Sequence, residues 1–394
     1  MTIRIETALI DAKITTPCLV LDRAQIGKNY RNFCRKMDGM DIFYAVKANP
    51  HPDILSLLAA EDAYFDCASF QEITLVLAAG GCPSNICFGS TLKKSTDIAN
   101  AYKVGVRYFT FDAREELQKI SDHAPGSSVC CRILTNDFGT GAKWPLSRKF
   151  GCDENMAVDL MKEARDVGLI PSGISFHVGS QQTEPTAWQE PIAQSSRIFQ
   201  RLAGLGIALD TINLGGGFPT TFGNDAVPDF SIYATVIKAA LNIHFGDKMP
   251  RVIAEPGRAL VGDAGVIVSE VVLVSQKSSI DAERWVYLDV GRFHGLAETE
   301  GEAIRYRLTV PERHDSASTP AIIAGPTCDS VDTMYERNPV EMPIDLKTGD
   351  IVLVHDAGAY TATYSSVGFN GLSPLRVCLV EDINQMKFPK LQAI

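Results

Sequence analysis

Short apolar runs alternate with longer amphipathic segments along the chain from residue 42 onwards. The runs are rich in β-branched and aromatic residues, which is typical of strands, and the segments between them space their apolar residues as one face of a helix does. The helical segments include residues 52–60, 69–79, 95–104 and 114–121. Eight runs are predicted to be strands, at residues 42–46, 63–67, 85–88, 108–111, 129–134, 173–177, 211–214 and 252–254.

Eight strands, each followed by a helix, favour a closed barrel over a doubly wound open sheet, which usually needs fewer strands. The pattern changes after Pro256, where strands are predicted at 265–273, 284–290, 304–310, 320–323, 351–354 and 375–380 without long helices between them. The strand-like run at 17–21 is expected to pair with this second sheet. We therefore predict an α/β fold with a (β/α)8 TIM-like barrel at residues 24–262. Residues 1–23 and 263–394 are predicted to form an all-β domain, sandwich-like or barrel-like.

The composition narrows the class of protein. With 394 residues, 45% hydrophobic and 21% charged, the chain fits a soluble two-domain protein. The net charge of −10 disfavours nucleic-acid and membrane partners and is compatible with a small cationic substrate. The first residues are too charged for a signal peptide and no later run is long and apolar enough to span a membrane, so we expect a cytoplasmic protein.

The cysteines and histidines give no sign of a metal site. Ten cysteines are scattered without a C-x-x-C pair, which favours buried thiols over disulfides or metal ligands. The seven histidines form no cluster with ligand spacing, so a metal hydrolase is disfavoured and no metal is expected.

Functional residues of an α/β barrel lie at the carboxyl ends of its strands, and Lys47 ends the first one. The apolar run before it would desolvate the ammonium, which lowers the pKa and favours the neutral amine that forms Schiff bases. Taken alone, however, this residue favours an ordinary lysine whose charged end reaches solvent at the barrel rim.

Three more polar residues stand at or after strand ends. Asp66 ends the second strand and Glu72 follows one to two helical turns later, so both carboxylates could face the amine of Lys47. They could equally cap the next helix together with Ser69. His177 ends the sixth strand, where its ring could stack on a flat cofactor, although a lone histidine is more often structural.

The residues after the last two strands are suited to binding an anion and a protonated ring. Three consecutive glycines, residues 215–217, let backbone N–H groups close around an anion, and barrels commonly bind phosphate there, although a flexible turn is the alternative. Glu255 could hold a ring nitrogen protonated and Arg258 could clamp a phosphate, or the two could form a surface ion pair. An amine, a stacking ring, a phosphate cradle and a pyridinium partner are what pyridoxal 5′-phosphate (PLP) requires.

In this order the motifs resemble those of the alanine-racemase-fold, or fold type III, PLP-dependent decarboxylases, and within them the ornithine/lysine decarboxylase family. The barrel carries Tyr-Ala-Val-Lys at 44–47, Phe-Asp-Cys-Ala-Ser at 65–69, His-Val-Gly-Ser at 177–180, Gly-Gly-Gly-Phe-Pro at 215–219 and Glu-Pro-Gly-Arg at 255–258. The predicted β domain carries Gly-Pro-Thr-Cys-Asp-Ser-Val-Asp at 325–332 and Asp-Ala-Gly-Ala-Tyr-Thr at 356–361, both similar to the decarboxylase branch. The resemblance covers nearly the whole chain.

The resemblance implies a homodimer with shared active sites, to which the β domain contributes. It implies that Cys328 controls protonation at the substrate Cα and that Asp329 meets the distal ammonium, both in the partner's site. Glu298 or Glu302 could assist Asp329, or either could be a solvated helix residue. Phe369 and Asn370 resemble a further segment of the substrate pocket.

The same resemblance assigns the remaining roles. Catalysis is expected from Lys47, Glu72, His177 and Cys328. Cofactor binding is expected from Lys47, Asp66, His177, Ser180, Gly215, Gly216, Gly217, Glu255, Gly257, Arg258 and Tyr360.

The activity implied is decarboxylation of a basic L-amino acid, ornithine or lysine, to putrescine or cadaverine in polyamine biosynthesis. Residues 295–304 lack the Tyr-Asp pair of eukaryotic ornithine enzymes and look closer to bacterial enzymes of mixed preference. Diaminopimelate, arginine or a carboxylated polyamine are alternative substrates. A catalytically inactive regulator is a further alternative, against which the complete set of motif residues speaks.

Overall fold

The structure, a computed structural model, describes Ile5 and residues 14–135, 141–144, 148–223, 226–313 and 315–385. The chain forms two compact units. The barrel unit contains the described residues of Gly27–Thr220 and Ala226–Leu260, and the β unit contains those of Met1–Ile26, Thr221–Asp225 and Val261–Ile394. The rest of the predicted all-β domain, residues 1–4, 6–13, 314 and 386–394, lies outside the described residues.

The strands in chain order are β1 (Cys18–Leu21), β2 (Asp41–Ala45), β3 (Tyr64–Cys67), β4 (Ile86–Phe88), β5 (Tyr108–Phe111), β6 (Ser128–Arg132), β7 (Ala142–Trp144), β8 (Ile170–Ser175), β9 (Ser180–Gln182), β10 (Thr211–Asn213), β11 (Arg251–Ala254), β12 (Gly265–Ser275), β13 (Arg284–Leu288), β14 (Leu308–Thr309), β15 (Ser318–Ala324), β16 (Thr333–Met334), β17 (Val340–Pro343), β18 (Ile351–Val354) and β19 (Arg376–Leu379). The α-helices are α1 (Arg23–Lys36), α2 (Pro52–Ala59), α3 (Phe70–Ala78), α4 (Ser95–Lys103), α5 (Arg114–His123), α6 (Glu154–Asp166), α7 (Gln189–Ala203), α8 (Phe230–Phe245) and α9 (Arg258–Val261).

The barrel unit is a closed ring of parallel strands in the order β2, β3, β4, β5, β6, β8, β10 and β11, and β11 pairs with β2 to close it. The predicted (β/α)8 barrel is confirmed, and the open-sheet alternative is wrong. Such strands are buried on both faces, which is why they read as continuous apolar runs. A short antiparallel pair, β7 with β9, was not predicted because Ala-Lys-Trp and Ser-Gln-Gln show no apolar run.

Side-chain caps fix where the barrel helices begin. The Asp153 carboxylate accepts the N–H groups of Asn155 and Met156 at 2.8 and 2.9 Å, at the start of α6. Asp229 accepts the Ser231 N–H at 2.8 Å, at the start of α8. Because each such cap contributes about 1 kcal/mol, these helices start at defined residues and the preceding loops keep a defined length.

The β unit contains a nine-stranded sheet, in which β14, β18, β12, β13, β15 and β16 are neighbours in that order. β1 pairs antiparallel with β12 and parallel with β19, so the predicted pairing of residues 17–21 with this sheet is confirmed. A buried apolar cluster joins these strands, with Cys18 and Val20 packed among Val266, Val268 and Leu353. The predicted all-β fold class of this region is confirmed.

The predicted strand at 304–310 is wrong for most of its length, since only Leu308–Thr309 forms β14. The Ile304 N–H donates to the Glu298 carbonyl, and the Tyr306 N–H donates to the Tyr335 hydroxyl at 2.9 Å. These backbone groups therefore bind a helical turn and a side chain instead of a neighbouring strand. β16 and β17 were not predicted.

Within the described part of the chain, no helix is both long and apolar enough to cross a membrane.

Candidate active site

The carboxyl ends of the first two barrel strands bring Lys47 and Asp66 together. Lys47 lies in a 3-10 turn (Val46–Ala48) after β2, and the register pairs Ala45 with Asp66 on β3. The Lys47 Nζ is 3.6 Å from Asp66 Oδ2, with the lysine side chain 48% exposed and the aspartate 5%. A buried carboxylate thus holds the amine at the barrel end.

Glu72 forms part of the helix cap that the sequence left open. Its N–H donates to Ser69 Oγ at 3.2 Å, and its Oε2 accepts the Ala68 N–H at 2.6 Å. Burial and the neighbouring Asp66 raise the pKa of the Glu72 carboxyl, against the Ala68 N–H and Lys47, which lower it. The capping role is confirmed for Ser69 and Glu72, whereas Asp66 faces Lys47; a catalytic role for Glu72 stays a prediction.

His177 follows β8 and presents a neutral ring. Its Nδ1 accepts the Gly179 N–H at 2.9 Å, which leaves the ring hydrogen on Nε2. Burial, together with the positive charges of Arg132 and Lys47, holds the pKa of His177 well below its usual range. A neutral, flat imidazole is suited to stacking against a cofactor ring.

The three glycines after β10 are required by close backbone packing. A Cβ on Gly215 would lie 2.0 Å from the Phe176 carbonyl oxygen, and one on Gly217 would lie 2.4 Å from that of Gly179. On Gly216 it would lie 2.8 Å from the Glu255 carbonyl oxygen and 3.1 Å from His177 Nε2. This segment is therefore wedged between the His177 and Glu255 loops, and it is not simply a flexible turn.

Glu255 follows β11 as a partly buried carboxyl group. Its Oε1 accepts a hydrogen bond from Asn213 Nδ2 at 2.6 Å. Burial and the negative charge of Asp66 raise the pKa of Glu255 to about 7, although Asn213, Lys47 and Arg132 act in the opposite direction. Such a carboxyl group would gain from a cationic partner.

Arg258 begins α9 and is buried. Its Nη2 donates to Ser180 Oγ at 3.2 Å, so the guanidinium and a hydroxyl, both expected to bind phosphate, lie side by side. Gly257, the residue before Arg258, is also buried. A guanidinium and a hydroxyl together form a suitable site for a phosphate group.

In the β unit, Cys328 and Asp329 lie on an exposed loop that is stabilised by hydrogen bonds to the buried carboxylate of Asp332. Asp332 Oδ1 accepts the Arg292 N–H at 2.7 Å, and its Oδ2 accepts the Thr327 N–H and hydroxyl at 3.1 and 2.7 Å. The Asp329 carboxylate accepts the Val331 N–H at 2.9 Å. The loop is therefore ordered by its own side chains.

Glu298 and Glu302 lie in the 3-10 segment Ala297–Glu302 and neither is solvated, so that alternative is wrong for both. Glu302 accepts the N–H groups of Arg337 and Asn338, the Asn338 amide at 2.7 Å, and the Arg305 guanidinium at 2.8 Å. These bonds occupy its carboxylate, whereas Glu298 remains a candidate for the substrate ammonium.

Two aromatic residues of the β unit complete the predicted set. Tyr360 has a left-handed backbone with a φ of 55°, and its ring centroid is 6.0 Å from that of Tyr364. The Phe369 ring lies 4.8 Å from the Phe293 ring at an angle of 39°. Their roles in phosphate and substrate binding stay predictions.

Three residues with clear positions at these sites were missed from the sequence, namely Arg132, Asn213 and Asp332. Asn370 lies in the predicted pocket segment 369–370, but its contact with Cys328 was not predicted. Arg132 ends β6 and Asn213 ends β10, so inspection of every strand end would have found them. Asp332 and Asn370 act through contacts with residues about 40 positions away, which no local pattern reveals.

Comparison with known proteins gives a consistent result. A family model described as pyridoxal-dependent decarboxylase, pyridoxal binding domain, matches residues 23–262. The chain is 32% identical over 377 residues to the lysine/ornithine decarboxylase of Selenomonas ruminantium, covering 96% of this chain and 93% of the relative. Lysine/ornithine decarboxylase of Vibrio vulnificus, solved with cadaverine, matches with a TM-score of 0.85 and 28% identity over 96% of this chain and 98% of that chain. The arginine decarboxylase of Paramecium bursaria Chlorella virus matches with a TM-score of 0.86 and 27% identity, over 96% and 100% of the two chains.

Proposed function

The chain belongs to the pyridoxal-dependent decarboxylases, and from this membership we propose that it removes the α-carboxylate of L-ornithine and L-lysine to give putrescine and cadaverine. It is a PLP-dependent amino-acid decarboxylase, and several of the proteins it matches are named lysine/ornithine, ornithine or arginine decarboxylases. A role in polyamine biosynthesis and a cytoplasmic location stay predictions.

The residues at the barrel end fit PLP. Lys47 would hold the cofactor covalently, and Glu255, partly buried and with a raised pKa, would be the partner of the protonated ring nitrogen. His177 would stack on the ring, and Ser180, Arg258 and the glycine segment would surround the phosphate. When bound, PLP supplies a sink for the electrons left at Cα as carbon dioxide departs.

The protein's own groups then orient the substrate and move the protons. Asp66 keeps the Lys47 amine in place through their 3.6 Å contact. Cys328 would deliver a proton to Cα after the carboxylate has left. Asp329 would bind the distal ammonium, and this binding energy would hold the α-carboxylate in the reactive orientation.

The observation that carries the choice of a basic substrate is the ordered loop bearing Cys328 and Asp329. This loop presents an exposed carboxylate next to a thiol, and buried Glu298 provides a second carboxylate in the same unit. A substrate side chain that ends in an ammonium alone meets its counter-charge on such a loop. The far end of diaminopimelate carries a carboxylate beside its ammonium, and that carboxylate is repelled.

We also propose a homodimer in which each subunit's loop completes the partner's site. Apolar side chains are exposed around that loop: Val331 is 51% exposed, Tyr364 46% and Val367 85%. Val331 is three positions from Cys328, and Val367 is three positions from Asn370, which contacts Cys328. A subunit covering these side chains would remove apolar surface from water.

A panel of L-ornithine, L-lysine, L-arginine and meso-diaminopimelate, assayed by carbon dioxide release and diamine formation, tests the substrate. The highest kcat/KM is expected for ornithine or lysine. Arginine is the second candidate, because the viral arginine decarboxylase matches the whole fold, and agmatine formation at a higher kcat/KM would replace the proposal with it. Absence of carbon dioxide from every substrate, with PLP bound, would indicate the inactive regulator.

A further inference from the structure

Asn370 touches Cys328 with both atoms of its amide. Its Oδ1 accepts the Cys328 N–H at 3.3 Å, and its Nδ2 lies 3.4 Å from Cys328 Sγ. The alternative contact, from the thiol to Oδ1, is longer at 3.7 Å. Because a backbone N–H can only donate, the Cys328 contact fixes which end of the amide is oxygen, and the NH2 end must face the sulfur.

We infer that Asn370 is a positioning residue for the proton-donating thiol: its amide clamps the Cys328 backbone and donates a hydrogen bond to the sulfur. This inference rests on the proposed function of Cys328. A sulfur that accepts a hydrogen bond on one side directs its own hydrogen elsewhere, which leaves that hydrogen available to the substrate.

The proton balance explains why a donor is needed at this point. When the Cys328 S–H bond breaks, the proton forms the new Cα–H bond and the electron pair stays on sulfur as a thiolate. A hydrogen bond from Asn370 Nδ2 stabilises that thiolate, because bonds to charged acceptors are stronger than those between neutral groups. The thiolate takes a proton from solvent or an incoming substrate ammonium before the next turnover.

The backbone conformation at position 370 also favours asparagine, and this role can be separated from the contact of its amide with Cys328. Its φ of 52° and ψ of 22° lie in the left-handed region, which asparagine tolerates and glycine tolerates better. Glycine at this position would keep the backbone and delete the amide. Aspartate would keep the shape and replace the donor by a negatively charged acceptor.

The test uses the full-length enzyme loaded with PLP, as wild type, Asn370→Gly and Asn370→Asp. Asn155→Asp is the matched control, since it makes the same chemical change on the exposed face of α6. Iodoacetamide alkylation of Cys328 is followed by peptide mass spectrometry across pH, alongside Cys82, the other exposed cysteine, as an internal standard. Circular dichroism and the cofactor absorption band confirm that each variant is folded.

Asn370→Asp is expected to slow alkylation of the Cys328 thiol near neutral pH roughly tenfold, because a carboxylate beside the sulfur disfavours the reactive thiolate. Asn370→Gly is expected to fall between that variant and wild type, and Asn155→Asp is expected to match wild type. In both Asn370 variants the ratio of diamine to carbon dioxide should fall below the wild-type ratio. Fewer protons would reach the substrate Cα after carbon dioxide has left, so less diamine forms for each carbon dioxide released.

If Asn370→Gly matches wild type in alkylation and in product ratio, Asn370 serves only the left-handed backbone and the inference is overturned. The alkylation measurement does not depend on turnover. Shifted alkylation in a protein that decarboxylates nothing would therefore refute the proposed function and leave the contact between Asn370 and Cys328 established.

Discussion

The barrel end and the loop around Cys328 hold polar side chains in place by different means. At the barrel end, Lys47, His177 and Glu255 follow strands within two residues. The left-handed backbone there is adopted mainly by glycines, with φ of 66° at Gly215 and 100° at Gly217, and by Gln181, with φ of 54°. In the described β unit, left-handed backbone is also adopted by larger residues, namely Glu302, Tyr335, Asp356, Tyr360 and Asn370.

The difference lies in what supports the backbone. The register of the strands positions the barrel residues, and many backbone hydrogen bonds between neighbouring strands fix that register. Single side chains such as Asp332 and Glu302 position the β loops, each accepting several N–H groups. Changing a side chain at the barrel end should therefore reduce activity and leave the free energy of unfolding nearly unchanged. Changing one that supports a β loop should lower the free energy of unfolding.

The largest effect is expected from Lys47→Ala, which deletes the barrel's amine and leaves the register intact. The absorption band of the lysine-bound cofactor and carbon dioxide release should both disappear, while the free energy of unfolding of the cofactor-free protein stays close to wild type. Lys162→Ala, an exposed lysine of α6 that pairs with Asp159 at 3.5 Å, is the control. Persistence of the band in Lys47→Ala would sink the assignment of the cofactor lysine.

Asp332→Ala tests the other side of the comparison. It leaves three donors without their acceptor, the Arg292 N–H and the Thr327 N–H and hydroxyl. We expect a loss of about 3 kcal/mol in the free energy of unfolding by urea denaturation, because buried donors lose their partners. Asp247→Ala, at an exposed position, should change it by less than about 0.5 kcal/mol. A similarly small change for Asp332→Ala would show that the backbone holds the loop without it.

Gly216→Ala separates close packing from backbone conformation at the barrel end. The added Cβ would meet the Glu255 carbonyl oxygen at 2.8 Å, so we expect about 1–3 kcal/mol of strain and roughly tenfold weaker PLP binding in a fluorescence titration. Gly204→Ala is the control, since its φ of −62° suits alanine and its nearest contact is 3.4 Å. Equal PLP affinity in the two variants would show that residues 215–217 shift to accommodate the added Cβ without affecting cofactor binding.

The smallest effect concerns pH. The pKa of Glu255, raised to about 7 from 4.5, means that the folded protein holds a proton which the unfolded chain releases as the pH rises between these values. This stabilisation is present below the unfolded pKa and is lost as the pH rises through the folded pKa. Relative to Glu255→Gln, the free energy of unfolding of cofactor-free wild type should fall by on the order of 1–2 kcal/mol from pH 5 to pH 8.

Comparing wild type with Glu255→Gln also controls for other groups that titrate in this pH range. The lowered pKa of His177 acts in the opposite sense, with stability lost as the pH falls below its ordinary value, and it is present in both proteins. Its contribution therefore cancels when the two curves are subtracted. A difference that stays flat across the range would mean that Glu255 titrates normally.

Much of the barrel could be predicted, because each strand shows a buried apolar run and each strand end marks a position facing the same opening. Lys47 alone did not indicate a site, but the ordered set of strand ends did. The β unit was less predictable. The run at 304–310 was taken for a strand, since nothing local shows that Tyr306 gives its N–H to the Tyr335 hydroxyl.

The sequence by itself determined the alternation of strands and helices, the order of the motifs and the residues able to carry PLP chemistry, because these depend on residue type and local spacing. Only the tertiary structure decided that the ring closes from β11 to β2, that Asp66 faces Lys47 while Glu72 caps a helix, and that Asn370 holds Cys328. Those choices depend on burial and on contacts between residues far apart in the chain. Such contacts have no local pattern, because their energy appears only when the backbone has folded and water is excluded.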